Sequence, residues 1–110
     1  MRALEDVTVL DLTHMLSGPY CTMLMADMGA RTIKIEPPDR GEGTRRLLEN
    51  SEDHSRGGMG AYFLTLCRNK ESSGIDLKQP RGLALTPWLA EALRLPQLPA
   101  MVGRASVYPA

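Results

Sequence analysis

The side chains with chemistry to offer in this 110-residue chain cluster after its first apolar run, where Thr13 to Pro19 read THMLSGP. A turn between a strand and a helix there aims free helix amides at solvent, the general arrangement for a phosphate or another anion. The dinucleotide fingerprint needs three spaced glycines at this turn, and the single Gly18 does not supply them. His14 has two readings, a general base or ligand partner at a strand end, or a pocket-lining imidazole. His54 is the only other histidine, and no Cys/His spacing suits a metal. Glu36 sits where such a fold carries its ribose carboxylate, but that position alone is a weak signal, and the favoured reading is a strand-end acid facing water. The Arg56-to-Gly60 cluster, RGGMG, lacks the Lys-[Ser/Thr] ending of a phosphate loop and reads as a flexible connector. Arg45-Arg46 and the Arg68/Lys70 pair either meet phosphates or are solvated surface. The methionines at 15, 23, 25 and 28 read as adaptable core filler, and no nucleophile-base triad can be placed by spacing.

The elements that would position these residues are legible in outline. Residues 7–12, VTVLDL, have the length and composition of a buried strand. Ser17-Gly18-Pro19 supplies a cap, a turn residue and a proline at a helix start, and Tyr20, Met23, Leu24 and Met28 follow at helical spacing until Gly29. Ile33 and Ile35 alternate with Thr32, Lys34 and Glu36 as a second strand, which Pro37-Pro38 stops. Residues 7–36 therefore form a βαβ unit of about the usual 30 residues. Residues 39–60 lack periodicity and read as a long loop, the sort of segment that carries binding sites. AYFLTL at 61–66 is a short apolar stretch. Ser73 to Lys78 is predicted to be a further strand with Ile75 and Leu77 on one face, and residues 79–82 a turn. Trp88, Leu89, Ala92, Leu93 and Leu95 predict one short helix from Thr86 or Pro87 to Leu95, with loop or disorder beyond. The fold class is α/β, a partial Rossmann-like parallel sheet made of the βαβ unit plus one more strand, with an irregular or short helical C-terminal tail.

Composition narrows the function classes. Thirteen Lys+Arg balance thirteen Asp+Glu, with a pI of about 6.7, so there is no basic field to attract nucleic acid or anionic lipid. No apolar run has the length of a membrane span, and the first six residues do not read as a signal peptide. Two isolated cysteines fit reduced thiols, and with them a cytoplasmic location. The charges stop abruptly: residues 83–110 carry only Glu91, Arg94 and Arg104, but four of the eight prolines. Residues 1–82 are accordingly read as one Rossmann-like unit and 83–110 as a divergent tail.

LEDVTVLDLTHMLSGPYCTMLMADMGARTIKIEPPDRGEGTR, followed by AYFLTLCRNKESSGIDLKQPRG, resembles the amino-terminal segment of class III coenzyme A transferases, the group containing formyl-CoA transferase, carnitine CoA-transferase and the α-methylacyl-CoA racemases. The resemblance spans about residues 3–82 and rests on motifs in the family's order: Thr-His, Gly-Pro, Asp-x-Gly-Ala, Ile-Lys-x-Glu-x-Pro, Asn-Lys and Asp-Leu-Lys. It implies a chain several-fold longer in the family, so this one is expected to be truncated and inactive alone. Coenzyme A, or its acyl thioester, is implied as substrate and no further cofactor is. By position, Leu16 and Ser17 match contacts at the turn after strand one, and Ile75, Asp76, Leu77 and Lys78 match the segment around the adenine nucleotide. Lys78 has the plainest reason to be there, an ammonium beside a phosphate. Pro37 stands where formyl-CoA transferase has a CoA-binding arginine, so one cation contact is missing.

The family's reaction moves coenzyme A between an acyl-CoA and a carboxylic acid through an aspartate nucleophile. That aspartate lies downstream of everything matched, so none of Asp11, Asp27, Asp39, Asp53 or Asp76 inherits the role and no catalytic residue is assigned. The resemblance also implies an interlocked homodimer. Two other outcomes stay open for this chain: a residual CoA- or nucleotide-binding module, and a gene fragment without function.

Overall fold

The computed structural model describes residues 1–93 of the chain. The βαβ unit forms as the apolar patterning predicts: strand β1 (Thr8–Asp11), helix α1 (Ser17–Asp27) and strand β2 (Arg31–Glu36). Gly29 closes α1 at φ +105, a backbone that side chains with a Cβ rarely adopt, which lets the chain reverse directly into β2. A third strand, β5 (Lys70–Gly74), lies on the far side of β2, so the sheet order is β1-β2-β5 with both pairings parallel. Asp11 stands opposite Lys34, and Glu36 opposite Gly74. All three strands therefore end along the same edge.

Between β2 and β5 the chain is more ordered than a long loop. It holds a 3-10 turn at Gly43–Arg46, a two-residue hairpin made of β3 (Ser55–Arg56) and β4 (Met59–Gly60), and helix α2 (Ala61–Leu66). The glycine cluster read as a flexible connector is that hairpin's turn. Gly57 and Gly58 take φ of +57 and +73, the pair of positive values that a tight two-residue hairpin demands. Val9, Asp11, Thr32, Lys34, Glu36, Lys70 and Ser72 share one sheet face by register, and α1, the 3-10 turn and α2 pack over that face. Met23 and Ala26 of α1 and Phe63 and Leu66 of α2 are buried there.

Three expectations about the later chain are corrected. The last strand runs over Lys70–Gly74 rather than 73–78. Only Ile75 continues the pairing, its N–H donating to the Glu36 carbonyl at 2.8 Å. The chain then turns because the Asp76 carboxylate accepts the Lys78 N–H at 3.0 Å, a local bond that competes with sheet extension. Ile75 and Leu77 mimic a strand's two-residue period without pairing as one. Residues 79–82 are not a free turn, since helix α3 runs from Pro80 to Ala92 with extended Gln79 as its N-cap. Proline at the first helical position forgoes an N–H that has no intrahelical partner anyway, and the helix continues through Pro87, where a start was expected. Gly82 packs on the Asp76 carbonyl, so α3 leans on the 75–78 segment. The helix end expected at Leu95, and the loop or disorder expected beyond it, lie outside the described residues.

Candidate functional site

The turn after β1 is held by charges that have no access to water. Asp11 is completely buried, and its Oδ1 accepts from the Thr13 N–H at 2.9 Å and from the Thr13 hydroxyl. Its Oδ2 accepts from the Thr22 hydroxyl of α1 at 2.7 Å and from Lys70 Nζ of β5 at 3.0 Å. Lys34 Nζ, 1% exposed, donates to the Thr13 carbonyl at 2.9 Å and lies 3.9 Å from Asp11 and 3.6 Å from Glu42. Lys70 also donates to the Pro19 carbonyl at 3.0 Å. Burial raises the cost of charging Asp11, but Lys34 and the hydroxyl and amide donors of Thr13 and Thr22 outweigh it and hold the carboxyl below its usual range. An aspartate with these four donors is a structural anion.

A second cluster lies at the end of β2. Glu36 Oε1 accepts from Arg45 Nη2 and the Ser72 hydroxyl, both at 2.7 Å, while Oε2 accepts from Arg45 Nε and the Glu42 N–H, again at 2.7 Å. Both oxygens are fully occupied and the side chain is 2% exposed. Neither reading of Glu36 as a ribose ligand or as an acid facing water survives. Burial pushes this carboxyl up, yet the bidentate Arg45, Ser72 and the Glu42 amide win and hold it at about 2. Arg45 stacks over the Phe63 ring at 3.9 Å. Of the basic pairs, Arg45 is thus committed inside the protein, as is Lys70. Arg46 and Arg68 stay on the surface, Arg68 paired with Asp27 at 2.6 Å.

Sequence reasoning missed Glu42 and Thr44, each 1% exposed. The two glycines flanking Glu42 were the only signal, and they read as loop.

The positions singled out by resemblance lie along the carboxyl edge of the sheet, where α/β folds gather ligands. Leu16 and Ser17 follow β1, both exposed; Pro37 follows β2; Ile75, Asp76, Leu77 and Lys78 follow β5. Ser17 is not the helix cap. Leu16 occupies that place and makes no side-chain cap bond, so the first amides of α1 have no side-chain cap. Ile75 is buried, Asp76 and Leu77 are partly so, and Lys78 is exposed. Half-buried His14 stands in the same turn. A cleft of about 330 Å³ opens at the end of β2 among Pro37, Arg40, Gly41, Ser72 and Gly74. A larger hollow of about 670 Å³, among Arg2, Met28, Gly29 and Asn69, lies at the opposite, amino-terminal end of β2. Among the described residues no group of three or more His, Cys, Asp or Glu could hold a metal ion, and no helix is long and apolar enough to cross a membrane.

The family model described as CoA-transferase family III matches residues 4–92. The chain belongs to CoA-transferase family III. Its similarity to this family continues ten residues past Gly82 and takes in all of α3. Succinyl-CoA:glutarate CoA-transferase of Mus musculus is 41% identical over 93 residues, 82% of this chain and 20% of that protein. Formyl-CoA:oxalate CoA-transferase of Bradyrhizobium sp. (strain ORS 278) is 43% identical over 81 residues, 74% of this chain and 18% of that protein. Among solved structures, a CAIB/BAIF family protein from Brucella suis superposes with a TM-score of 0.71 at 29% identity, over 83% of this chain and 24% of the other. This family III chain spans about a fifth of the length of the curated relatives it matches.

Proposed function

We propose that the carboxyl edge of the β1-β2-β5 sheet is a coenzyme A-binding surface, and that the chain supplies it to the family's reaction, transfer of coenzyme A between an acyl-CoA and a carboxylic acid. The observation that carries this reading is the parallel register. It aligns three strand ends, and with them Leu16 and Ser17, Pro37, and Ile75 to Lys78, on one edge. Uncapped α1 amides and the exposed Lys78 ammonium suit a pyrophosphate or phosphate. Pro37 brings no cation, which lowers the affinity expected relative to a protein with arginine there. By the family resemblance the acyl-accepting carboxylate lies downstream of the matched residues; Asp11 and Glu36 are spent on structure. The intact enzyme is read as an interlocked homodimer. A cytoplasmic location is favoured by the two free cysteines.

Calorimetric titration of the folded chain with coenzyme A tests this reading. Micromolar affinity is expected, with Lys78→Ala weakening it roughly fivefold and the difference shrinking at high salt. A folded sample that binds nothing at millimolar coenzyme A contradicts the proposal.

A further inference from the structure

Met15 takes φ +70, a left-handed backbone that a side chain with a Cβ visits only at a cost, directly before Leu16 and Ser17. Something must hold it there. Its N–H donates to Oε1 of Glu42 at 2.8 Å, a partner twenty-seven residues away in the segment after β2. Glu42 is itself immobilised. Its Oε2 accepts from the Thr44 hydroxyl at 2.6 Å and faces Lys34 Nζ at 3.6 Å, while its own N–H is fixed to Glu36. Lys34 completes the circuit by donating to the Thr13 carbonyl on the other side of the same turn.

From this geometry we infer that Glu42 is a positioning residue for ligand binding: its buried carboxylate holds the Thr13–Ser17 turn in the strained form that presents Leu16, Ser17 and the first α1 amides. The inference rests on the coenzyme A reading of that turn. Glu42 touches no ligand; 1% exposed, it acts through the Met15 amide. Two ends of the sheet edge are thereby coupled, because the loop that follows β2 and the turn that follows β1 share one carboxylate. In Glu42's absence Met15 would relax toward negative φ and the turn would spend only part of its time in the binding form, lowering affinity by the fraction lost.

The test is calorimetric titration of the whole chain with coenzyme A, paired with amide hydrogen exchange at Met15. Glu42→Ala is expected to raise Kd about tenfold and to speed Met15 exchange. Adding Met15→Gly to that variant, which makes the positive φ free of strain, is expected to bring Kd back to within about threefold of the unchanged protein. A role confined to general stability predicts no such rescue. Unchanged Kd in folded Glu42→Ala, or no recovery on adding Met15→Gly, overturns the inference. If Glu42→Ala does not fold cooperatively, Thr44→Val, which removes only the hydroxyl donor, is expected to raise Kd about threefold and speed Met15 exchange; no change in either overturns it. Failure of the unchanged protein to bind coenzyme A defeats the ligand reading, and a Met15 exchange rate indifferent to both variants separately defeats the Glu42 contact.

Discussion

The residues that decide this molecule's behaviour in acid are Glu36 and Asp11. Glu36 titrates at about 2 in the folded chain against an ordinary 4.5, and Asp11 is shifted in the same direction. A carboxyl lowered by folding contributes stability that is complete above the unfolded value and is lost as pH falls through the folded one. Stability to urea is therefore expected to hold from pH 7 to about 5 and then decline, with Glu36 alone removing about 2 kcal/mol by pH 3. Equal urea midpoints at pH 6 and pH 3 would contradict the wiring of Glu36 to Arg45. A third residue carries the opposite sign. The Thr32 hydroxyl is 1% exposed and, among the described residues, is a buried side-chain group without a hydrogen-bond partner. An orphaned buried hydroxyl costs more than the isosteric methyl, so Thr32→Val is expected to stabilise by about 1 kcal/mol, read as a higher midpoint in thermal unfolding; a lower one refutes it.

At the scale of elements, what could be read in advance was what local patterning controls. β1, α1 and β2 follow from the apolar run at 7–12, the helical spacing after Pro19 and the alternation ending at Pro37. Elements whose faces are lined by paired charges were opaque. β5 is KESSG, with no large apolar residue, because Lys70 and Ser72 answer Asp11 and Glu36 from other strands. Long-range partners of that kind leave no mark on periodicity, and a buried Glu42 looks like any loop acid. The same limit misplaced α3, whose start depends on contact with Asp76 and not on its own apolar stripe. Helix propensity alone says that Gly82→Ala should stabilise α3 by about 1 kcal/mol. A Cβ at Gly82 would instead collide with the Asp76 carbonyl and approach Ile75, and that carbonyl is fixed by the Gln79 N–H. Overpacking against backbone costs about 1–3 kcal/mol, so the net effect is destabilising. Faster amide exchange across Leu83 to Leu89 in the Ala variant is the expected readout, and slower exchange would show propensity in control.

For the molecule as a whole, one face of a three-stranded sheet carries α1, the 3-10 turn and α2, while the other, with Leu10 and Ile33, is only partly covered by the described residues. Buried ion pairs rather than a large apolar core tie the covered face together, and the desolvation of such pairs offsets much of their attraction. What the sheet's carboxyl edge binds decides the molecule's role, and backbone amide NMR during a coenzyme A titration reads the binding residue by residue. Saturable shifts concentrated at residues 15–18, 39–41 and 74–78 are predicted. Shifts confined to the amino-terminal hollow around Met28, Gly29 and Asn69, or none at millimolar coenzyme A, would contradict it.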